Sequence, residues 1–492
     1  MRPAPEEPPE ASVPQATPAF SEEQIGRVMA GLVLAIFVAA VDGTLISVAL
    51  LPIGQDLGQV EQLPWVMSGY LAASAVATPI YGKLSDLYGR KPLMLGSLLG
   101  FALTSLGSAL APDMQVLIGM RILQGLTGGA VIAMAQAIIA DVVPVRERGR
   151  YQGWLAATFA SAALAGPVIG GLVTGALGWR AVFALLVPLT LLATWRVSAV
   201  LSLIPTHRQR RPIDWPGALW LAIALSSLMS LLTLLGQGKP PDNPAVLMLA
   251  CACLIATVLG VVQERRAPEP ILPPEVLALR GVWVPCVNVV CIFFTIIGLS
   301  TMLPIALQTA AGLGVDQAAL RMLPLTLGIP CGAFIAGRWT YRTGASRRII
   351  FIGLLLVLLA LTGMASLPVT VLWSLALAMG LLGVGSGMVM VTSLVVAQSS
   401  VPGRHIGVTT AVVACARTVG SAVGVSILAA VLFVTLRELA PQEPDLRRLL
   451  EVVPPSAAGE AFRVVIGVAW GVSLLGLLTM LAAGRGIGAG LR

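Results

Sequence analysis

The 492-residue chain has little charge: Asp, Glu, Lys and Arg together make up 11% of its residues, against about 25% in a typical soluble protein. Aromatic residues are scarce at 5%, whereas apolar residues reach 57%. So few charged groups cannot provide the polar surface that a water-soluble globule of this length needs. The composition therefore excludes an ordinary soluble enzyme.

Lysine and histidine are almost missing, with three Lys and two His beside 28 Arg. The arginines are scattered over short polar segments without forming a basic helix face, so the net charge of +8 does not indicate a nucleic-acid partner. The six cysteines all fall within apolar runs, which is typical of small hydrophobic residues and not of disulfides. No metal-ligand spacing, nucleotide-binding glycine loop or Ser/His/Asp set is present. We therefore expect no enzyme activity, no metal and no cofactor.

Long apolar runs are the dominant feature of the chain. A bilayer core about 30 Å thick needs roughly 20 apolar residues per helix. Such runs lie near 26–51, 63–82, 92–111, 114–140, 151–175, 179–204, 215–237, 244–263, 282–307, 319–338, 348–367, 370–397, 407–435 and 461–484. They predict an all-α polytopic membrane protein with 14 transmembrane helices and both termini on one side.

The orientation follows from Lys and Arg in the segments between these runs. On the side of the termini, basic residues outnumber those on the other side by roughly three to one, which predicts cytoplasmic termini. Residues 1–24, rich in Pro and Glu, are predicted to be a disordered cytoplasmic tail that ends at a capping box formed by Ser21 and Gln24. Residues 486–492 are predicted to be a second cytoplasmic tail.

An internal repeat divides the chain. Residues 82–91 at the end of the second helix resemble residues 337–344 at the end of the tenth. The repeat predicts two six-helix bundles, residues 25–204 and 281–485, separated by residues 205–280, which carry two inserted helices. Parallel six-helix repeats with a site at their interface are the pattern of secondary transporters.

Four motifs connect the sequence to a known family. They are Gly82-x-x-x-Asp86-x-x-Gly89-Arg90-Lys91 between helices two and three, Asp42-Gly43-Thr44 running on to Ala49-Leu50-Leu51-Pro52 in helix one, Arg121-Ile122-Leu123-Gln124-Gly125 in helix four, and Gly166-Pro167-Val168-Ile169-Gly170-Gly171 in helix five. On these motifs the chain resembles the major facilitator superfamily, and within it the fourteen-helix drug:proton antiporter branch (EmrB/QacA-like). The resemblance implies a proton-driven exporter of the bacterial cytoplasmic (inner) membrane.

The resemblance also implies roles for two of the motifs. Gly82, Asp86, Gly89, Arg90 and Lys91 would latch the two bundles together on the cytoplasmic side; the alternative is a solvated loop. The antiporter motif, which comprises Gly153, Gly166, Pro167, Gly170 and Gly171, would form a kinked, smooth and leak-tight face. Ordinary packing of small residues is the alternative. Three positions depart from the family pattern: Ala162 replaces a glycine, Leu186 replaces an asparagine, and Tyr341 replaces the acid in the second-half copy of the loop signature.

Asp42 and Arg121 are the main candidates for proton coupling. Ionisable groups within the bilayer are costly and usually face the bundle interior or water. Their predicted depths, about 14 and 11 Å from the outer ends of helices one and four at about 1.5 Å per residue, permit a pair. Burial favours the neutral carboxyl, and a nearby guanidinium favours the charged one. In such a pair Asp42 could carry the proton, while Arg121 adjusts the affinity of its carboxyl for that proton. A structural ion pair, or an Asp bonded to backbone, is the alternative.

Few polar residues are available for a substrate cavity. The candidates are Tyr70, Gln124, Gln136, Asn288 and Gln308, with Met379, Met388 and Met390 as an adaptable apolar wall and Arg417 as a buried cation. The methionines could equally be packing residues. Arg417 could face backbone carbonyls, water or a lipid headgroup as well as a substrate.

Together these features predict a monomeric exporter of lipophilic or amphiphilic compounds that works by alternating access. A single embedded acid favours neutral, monovalent or amphipathic substrates over multivalent cations. Two alternatives stay open: an exporter of one lipid or amphiphilic metabolite, and a membrane receptor that does not transport. Segment 436–460 is a candidate membrane-surface helix that guides a lipid.

Overall fold

The computed structural model describes residues 21–58, 62–144, 147–200, 214–236, 240–268, 270–309, 313, 317, 320–366, 372–439 and 454–483. The tail at 486–492, nearly all of the tail at 1–24 and most of segment 436–460 lie outside this description. So do the side chains of Asp86, Pro167 and Gln308.

Helices account for nearly all of the described chain, which contains no β-strand. Fourteen of them are 20 residues or longer, and a four-residue helical turn, Pro274–Leu277, precedes the ninth. They are α1 (Glu22–Leu57), α2 (Leu63–Tyr88), α3 (Arg90–Ala109), α4 (Met114–Val142), α5 (Arg148–Leu177), α6 (Trp179–Val200), α7 (Trp215–Gly236), α8 (Pro244–Arg266), α9 (Arg280–Thr309), α10 (Leu323–Thr343), α11 (Ser346–Ser366), α12 (Leu372–Ser399), α13 (Ile406–Leu439) and α14 (Pro455–Ala482).

Side-chain caps begin several of these helices. Ser21 and Gln24 form the predicted capping box at α1, each side chain bonding the other residue's backbone N–H. The Asp113 carboxylate accepts a hydrogen bond from the Val116 N–H at 2.8 Å and caps α4. Such caps satisfy N–H groups that have no partner within the helix.

Twelve helices in the described residues are long and apolar enough to cross a membrane. The predicted count of fourteen is therefore not supported on this criterion, because α2 and α10 fall short. α2 contains many Gly, Ser, Thr and Tyr residues as well as Lys83, and α10 carries Arg338 and Arg342 near its end. Both helices also pack between the two halves of the molecule, where a helix need not be apolar all round.

Helices α1–α6 and α9–α14 form two groups with matching internal contacts. α1 packs on α5 and α6 as α9 packs on α13 and α14, and α2 packs on α4 as α10 packs on α12. α3 contacts α4 and α6 just as α11 contacts α12 and α14. An offset of eight helices thus relates the two bundles, as expected for a parallel repeat.

The inserted helices α7 and α8 pack against each other, and α7 also lies against one helix of each bundle, α2 and α13. The Ser426 hydroxyl of α13 donates a hydrogen bond to the Leu232 carbonyl of α7 at 2.9 Å. The inserted pair therefore covers one seam between the bundles.

Two close contacts between the bundles lie on the side where α1 begins. There α2 packs on α13, and α5 packs on α10. A Cβ added at Gly82 would lie 2.6 Å from the Ala411 Cβ and 2.9 Å from the Gly407 carbonyl oxygen. At the second contact, a Cβ on Gly153 would lie 3.3 Å from the Phe334 Cα. Small residues thus allow the two bundles to close together on this side.

Candidate functional site

A fully buried ion pair joins α1 to α4. The Arg121 guanidinium donates through Nη1 to both Asp42 carboxylate oxygens, at 2.9 and 3.1 Å. Both side chains have 0% relative exposure. Because a lone charge in such a place is very costly, each partner depends on the other.

Gln124, one helical turn after Arg121, completes a small polar network. Its side-chain oxygen accepts from Arg121 Nη1 at 2.7 Å, while its amide nitrogen donates to Ser105 Oγ at 2.8 Å and to Asp42 Oδ1 at 3.3 Å. Arg121 Nε also donates to the Val66 carbonyl at 3.2 Å. Helices α1, α2, α3 and α4 therefore all contribute to the surroundings of one carboxylate.

Aromatic rings close the network on the remaining side. The guanidinium carbon of Arg121 lies 4.3 Å from the centre of the Tyr70 ring and 6.0 Å from that of Phe183. Arg121 Nη2 is buried without a hydrogen-bond partner among the described residues. Because Nη2 carries two N–H groups, Arg121 has two donors available if the arrangement shifts.

A separate cavity of about 390 Å³ lies between the bundles. Its wall comprises residues of α1, α4 and α5 from one bundle and of α9, α10, α12 and α13 from the other. Most described lining side chains are apolar; the polar ones are Thr44, Gln136, Thr326 and Arg417. A mainly apolar cavity with a few polar groups is typical of a small-molecule site.

The structure distributes the predicted cavity residues over three places. Arg417 and Gln136 line the cavity, whereas Tyr70 and Gln124 are absent from its described wall and instead surround the ion pair. Asn288 is buried within the second bundle, where its side-chain amide contacts the Met480 sulfur at 3.9 Å.

Two predicted residues for the apolar wall turn away from the cavity. Met388 packs on Ala336 and Ile349 inside the second bundle, and Met379 belongs to that bundle's core. Met390 does line the cavity. Residues two apart on a helix point in very different directions, so the methionine run alone could not tell which one faces inward.

Sequence reasoning missed Phe159 and Phe293, whose ring centres each lie 5.9 Å from the guanidinium carbon of Arg417. Each phenylalanine lies in a helix that is apolar on every face, so no periodicity distinguished it from a lipid-facing residue.

The loop signature between α2 and α3 combines close packing with a charged contact. Gly89 has φ +92°, a conformation that favours glycine, and it joins the end of α2 to the start of α3. Arg90 donates to the Asp141 carboxylate of α4 at 2.7 Å and to Ser85 Oγ at 2.5 Å. Lys91 is partly buried at the start of α3. These contacts of Arg90 lie within its own bundle, while Gly82 supplies the contact with the other.

On the far side of the molecule, Asp56 connects α1 to α6. Its carboxylate accepts hydrogen bonds from Arg180 Nη1 at 2.5 Å and from Trp179 Nε1 at 3.0 Å. These two hydrogen bonds, that of Arg180 above all, lower the pKa of Asp56 from its ordinary value. The contact anchors the end of α1, the helix that carries Asp42.

The glycines of the antiporter motif place α5 directly on α1. A Cβ at Gly166 would lie 2.6 Å from the Thr44 Cβ, and one at Gly170 would lie 2.9 Å from the Leu45 carbonyl oxygen. Thr44 Oγ1 donates to the Ala162 carbonyl across the same contact at 3.1 Å. Gly171 is exposed, so it does not share this packing.

Replacing Gly166 with alanine should therefore destabilise the protein. Forcing extra atoms into a close-packed contact costs typically 1–3 kcal/mol, and the thermal unfolding temperature of the purified protein should fall. Gly175→Ala in the same helix is the matched control, because a Cβ there meets nothing within 4 Å. Equal unfolding temperatures for the two variants would contradict the packing argument.

Comparison with known proteins decides the family. The model of the Major Facilitator Superfamily matches residues 32–425. The chain belongs to the major facilitator superfamily. Since this is a family of transporters, the chain is a transporter and not an enzyme. Among the described residues, no group of three His, Cys, Asp or Glu side chains could hold a metal ion.

Relatives named as transporters are similar in sequence to this chain. The transporter is 29% identical over 407 residues to the multidrug transporter protein MdtP of Bacillus subtilis, covering 82% of this chain and 74% of MdtP. It is 32% identical over 417 residues to an uncharacterized MFS-type transporter of Mycobacterium tuberculosis, covering 84% of this chain but 60% of that relative's length.

Solved structures share the fold. The proton:xylose symporter XylE superposes with a TM-score of 0.61 over 94% of this chain and 96% of XylE, at 15% identity. At this identity the likeness concerns the fold alone. The transporter is thus an all-helical, multi-pass membrane protein with multidrug transporters among its relatives.

Proposed function

We propose that this transporter is a proton-coupled antiporter that exports lipophilic or amphiphilic compounds by alternating access. The observation that carries the proposal is the position of α1. Ala40 and Thr44 of this helix line the cavity, while Asp42, between them, faces the buried Arg121. One helix therefore contacts both the candidate substrate space and the candidate proton site.

Protonation of Asp42 would change the forces on α1. The charged carboxylate holds Arg121 and Gln124 in place through hydrogen bonds. A neutral carboxyl loses the charge attraction and leaves a buried guanidinium without its counterion, which favours rearrangement of the network. Since α1 also lines the cavity, such a rearrangement links proton uptake to the shape of the substrate site.

The membrane arrangement is part of the proposal. We propose that α2 and α10 cross the bilayer together with the twelve more apolar helices, as in the fourteen-helix drug:proton antiporter branch. Both termini would lie in the cytoplasm of a bacterial cell, in its cytoplasmic membrane, in agreement with the excess of Lys and Arg on that side. In this orientation the close contacts of Gly82 and Gly153 would lie on the cytoplasmic side, and we propose that this arrangement is the state closed toward the cytoplasm.

The substrate class is supported by the mainly apolar cavity wall and by relatives named as multidrug transporters. A second candidate is the export of one amphiphilic metabolite or lipid. The single charged residue in the described wall, Arg417, favours it, because a fixed charge selects among substrates.

Everted membrane vesicles test the coupling directly. With an acid lumen and no ATP, vesicles that contain the protein should accumulate an uncharged lipophilic dye such as Nile red, which a pH gradient does not trap by itself, and adding the dye should release protons from the lumen. A protonophore should abolish both signals, and vesicles without the protein should show neither. Dye accumulation that persists with the protonophore would overturn proton coupling.

A further inference from the structure

Arg417 is the one charged side chain among the described residues of the cavity wall. It lies on α13, eleven residues after the helix begins at Ile406. At about 1.5 Å per residue this is about 17 Å from the start of a helix that is long and apolar enough to cross a membrane. A cation at this depth is expensive unless it has a partner.

The surroundings of Arg417 hold its guanidinium without neutralising it. Phe159 of α5 and Phe293 of α9, one from each bundle, place their ring centres 5.9 Å from the guanidinium carbon. This distance permits a weak cation–π attraction. In the described part of the chain, no carboxylate pairs with Arg417 and no group accepts a hydrogen bond from its side chain.

Arg121 differs from Arg417 because protein groups neutralise its charge and accept its hydrogen bonds. It has the Asp42 carboxylate, the Gln124 side chain and the Val66 carbonyl as acceptors. Arg417 instead lines a cavity whose described wall contains no acid. Its charge is therefore available to something that enters the cavity.

We propose that the cavity binds amphiphilic anions, compounds with one carboxylate or comparable group attached to a hydrophobic body. The planar guanidinium of Arg417 suits a two-pronged pair with a carboxylate. Apolar residues such as Phe159, Ile297 and Met390 provide the wall for the hydrophobic part. The volume of about 390 Å³ is at the lower end of the range of small-molecule pockets. This inference rests on the proposed export function and names its substrate class.

Equilibrium binding to the purified full-length protein tests the inference. The probes are three dansyl-labelled C11 chains that differ at the head alone: the carboxylic acid, its primary amide and the corresponding amine, measured by fluorescence at pH 7.5. The acid, ionised at this pH, should bind at least tenfold more tightly than the amide and the amine. Arg417→Gln should weaken binding of the acid at least tenfold and change the affinity for the amide less than threefold.

Two further variants sharpen the result. Arg417→Lys keeps the charge and should retain part of the preference for the acid, whereas Arg463→Gln, at an exposed position of α14, should leave all three affinities unchanged. Equal affinities of the wild-type protein for acid and amide would overturn the inference, even if Arg417→Gln does not fold. An equal loss of acid and amide binding in Arg417→Gln would assign Arg417 a packing role and overturn it as well. Because binding needs no proton gradient, these outcomes are independent of the protonophore test of proton coupling.

Discussion

Asp42→Asn is expected to abolish export driven by a pH gradient. Asparagine has nearly the size of aspartate and retains a side-chain oxygen for Arg121, but it cannot carry a proton. A gradient of one pH unit supplies about 1.4 kcal/mol per proton, which corresponds to a tenfold accumulation of substrate. The variant should lose this accumulation in everted vesicles while still exchanging internal dye for external dye without a gradient.

Controls separate coupling from folding. Asp113→Asn is the matched substitution, because Asn caps a helix as well as Asp does, and it should transport normally. Asp42→Asn leaves the buried Arg121 charge unpaired, and breaking such a pair costs about 3–5 kcal/mol. The double variant Asp42→Asn with Arg121→Gln should therefore be more stable than the single one and remain uncoupled. Full gradient-driven export by Asp42→Asn would disprove the role of Asp42.

Gly82→Leu is expected to impair transport strongly, both with and without a pH gradient. A side chain at this position meets Ala411 and the backbone of Gly407 on the other bundle, and neither can move aside without shifting α13. The bundles should then fail to close on the side where α1 begins. Both gradient-driven accumulation and dye exchange should fall at least tenfold, because exchange also requires the cavity to alternate between the two sides.

The matched control for Gly82→Leu is Gly96→Leu on α3. A Cβ there meets nothing within 4 Å, and the glycine is exposed on the outer surface of its bundle. This variant should transport normally. If Gly82→Leu retains dye exchange, closure at the contact between α2 and α13 is not required for transport. The two glycine variants, together with Asp42→Asn, thus distinguish a loss of alternation from a loss of coupling.

Much of the candidate site could be predicted from residue type. Charged residues within apolar runs are rare enough to stand out, so the sequence alone marks Asp42, Arg121 and Arg417 as candidates. Predicted depths permitted the pair of Asp42 and Arg121, and the structure brings them to 2.9 Å. The glycine motifs predicted close packing, and Gly82 and Gly166 pack directly against neighbouring helices.

The composition of the cavity wall could not be predicted in the same way. Tyr70 and Gln124 are polar and were predicted to face a substrate, yet they surround the ion pair. Met388 was predicted to line the wall, yet it packs inside the second bundle. Their helices are apolar on nearly every face, so the sequence pattern contains no signal for which face meets lipid, protein or cavity.

The sequence by itself determined that this chain is a helical membrane protein, since apolar length is a local property, and it predicted a repeated bundle from residue spacing. The tertiary structure decided that the only fully buried ion pair in the described residues lies within one bundle, while Arg417 faces the space between the two. The physical reason is that both results depend on contacts between helices distant in sequence. A charged residue within an apolar run is conspicuous in the sequence because its burial is unfavourable. Whether a protein group or a ligand provides the opposite charge depends on the neighbours that the tertiary structure brings to it.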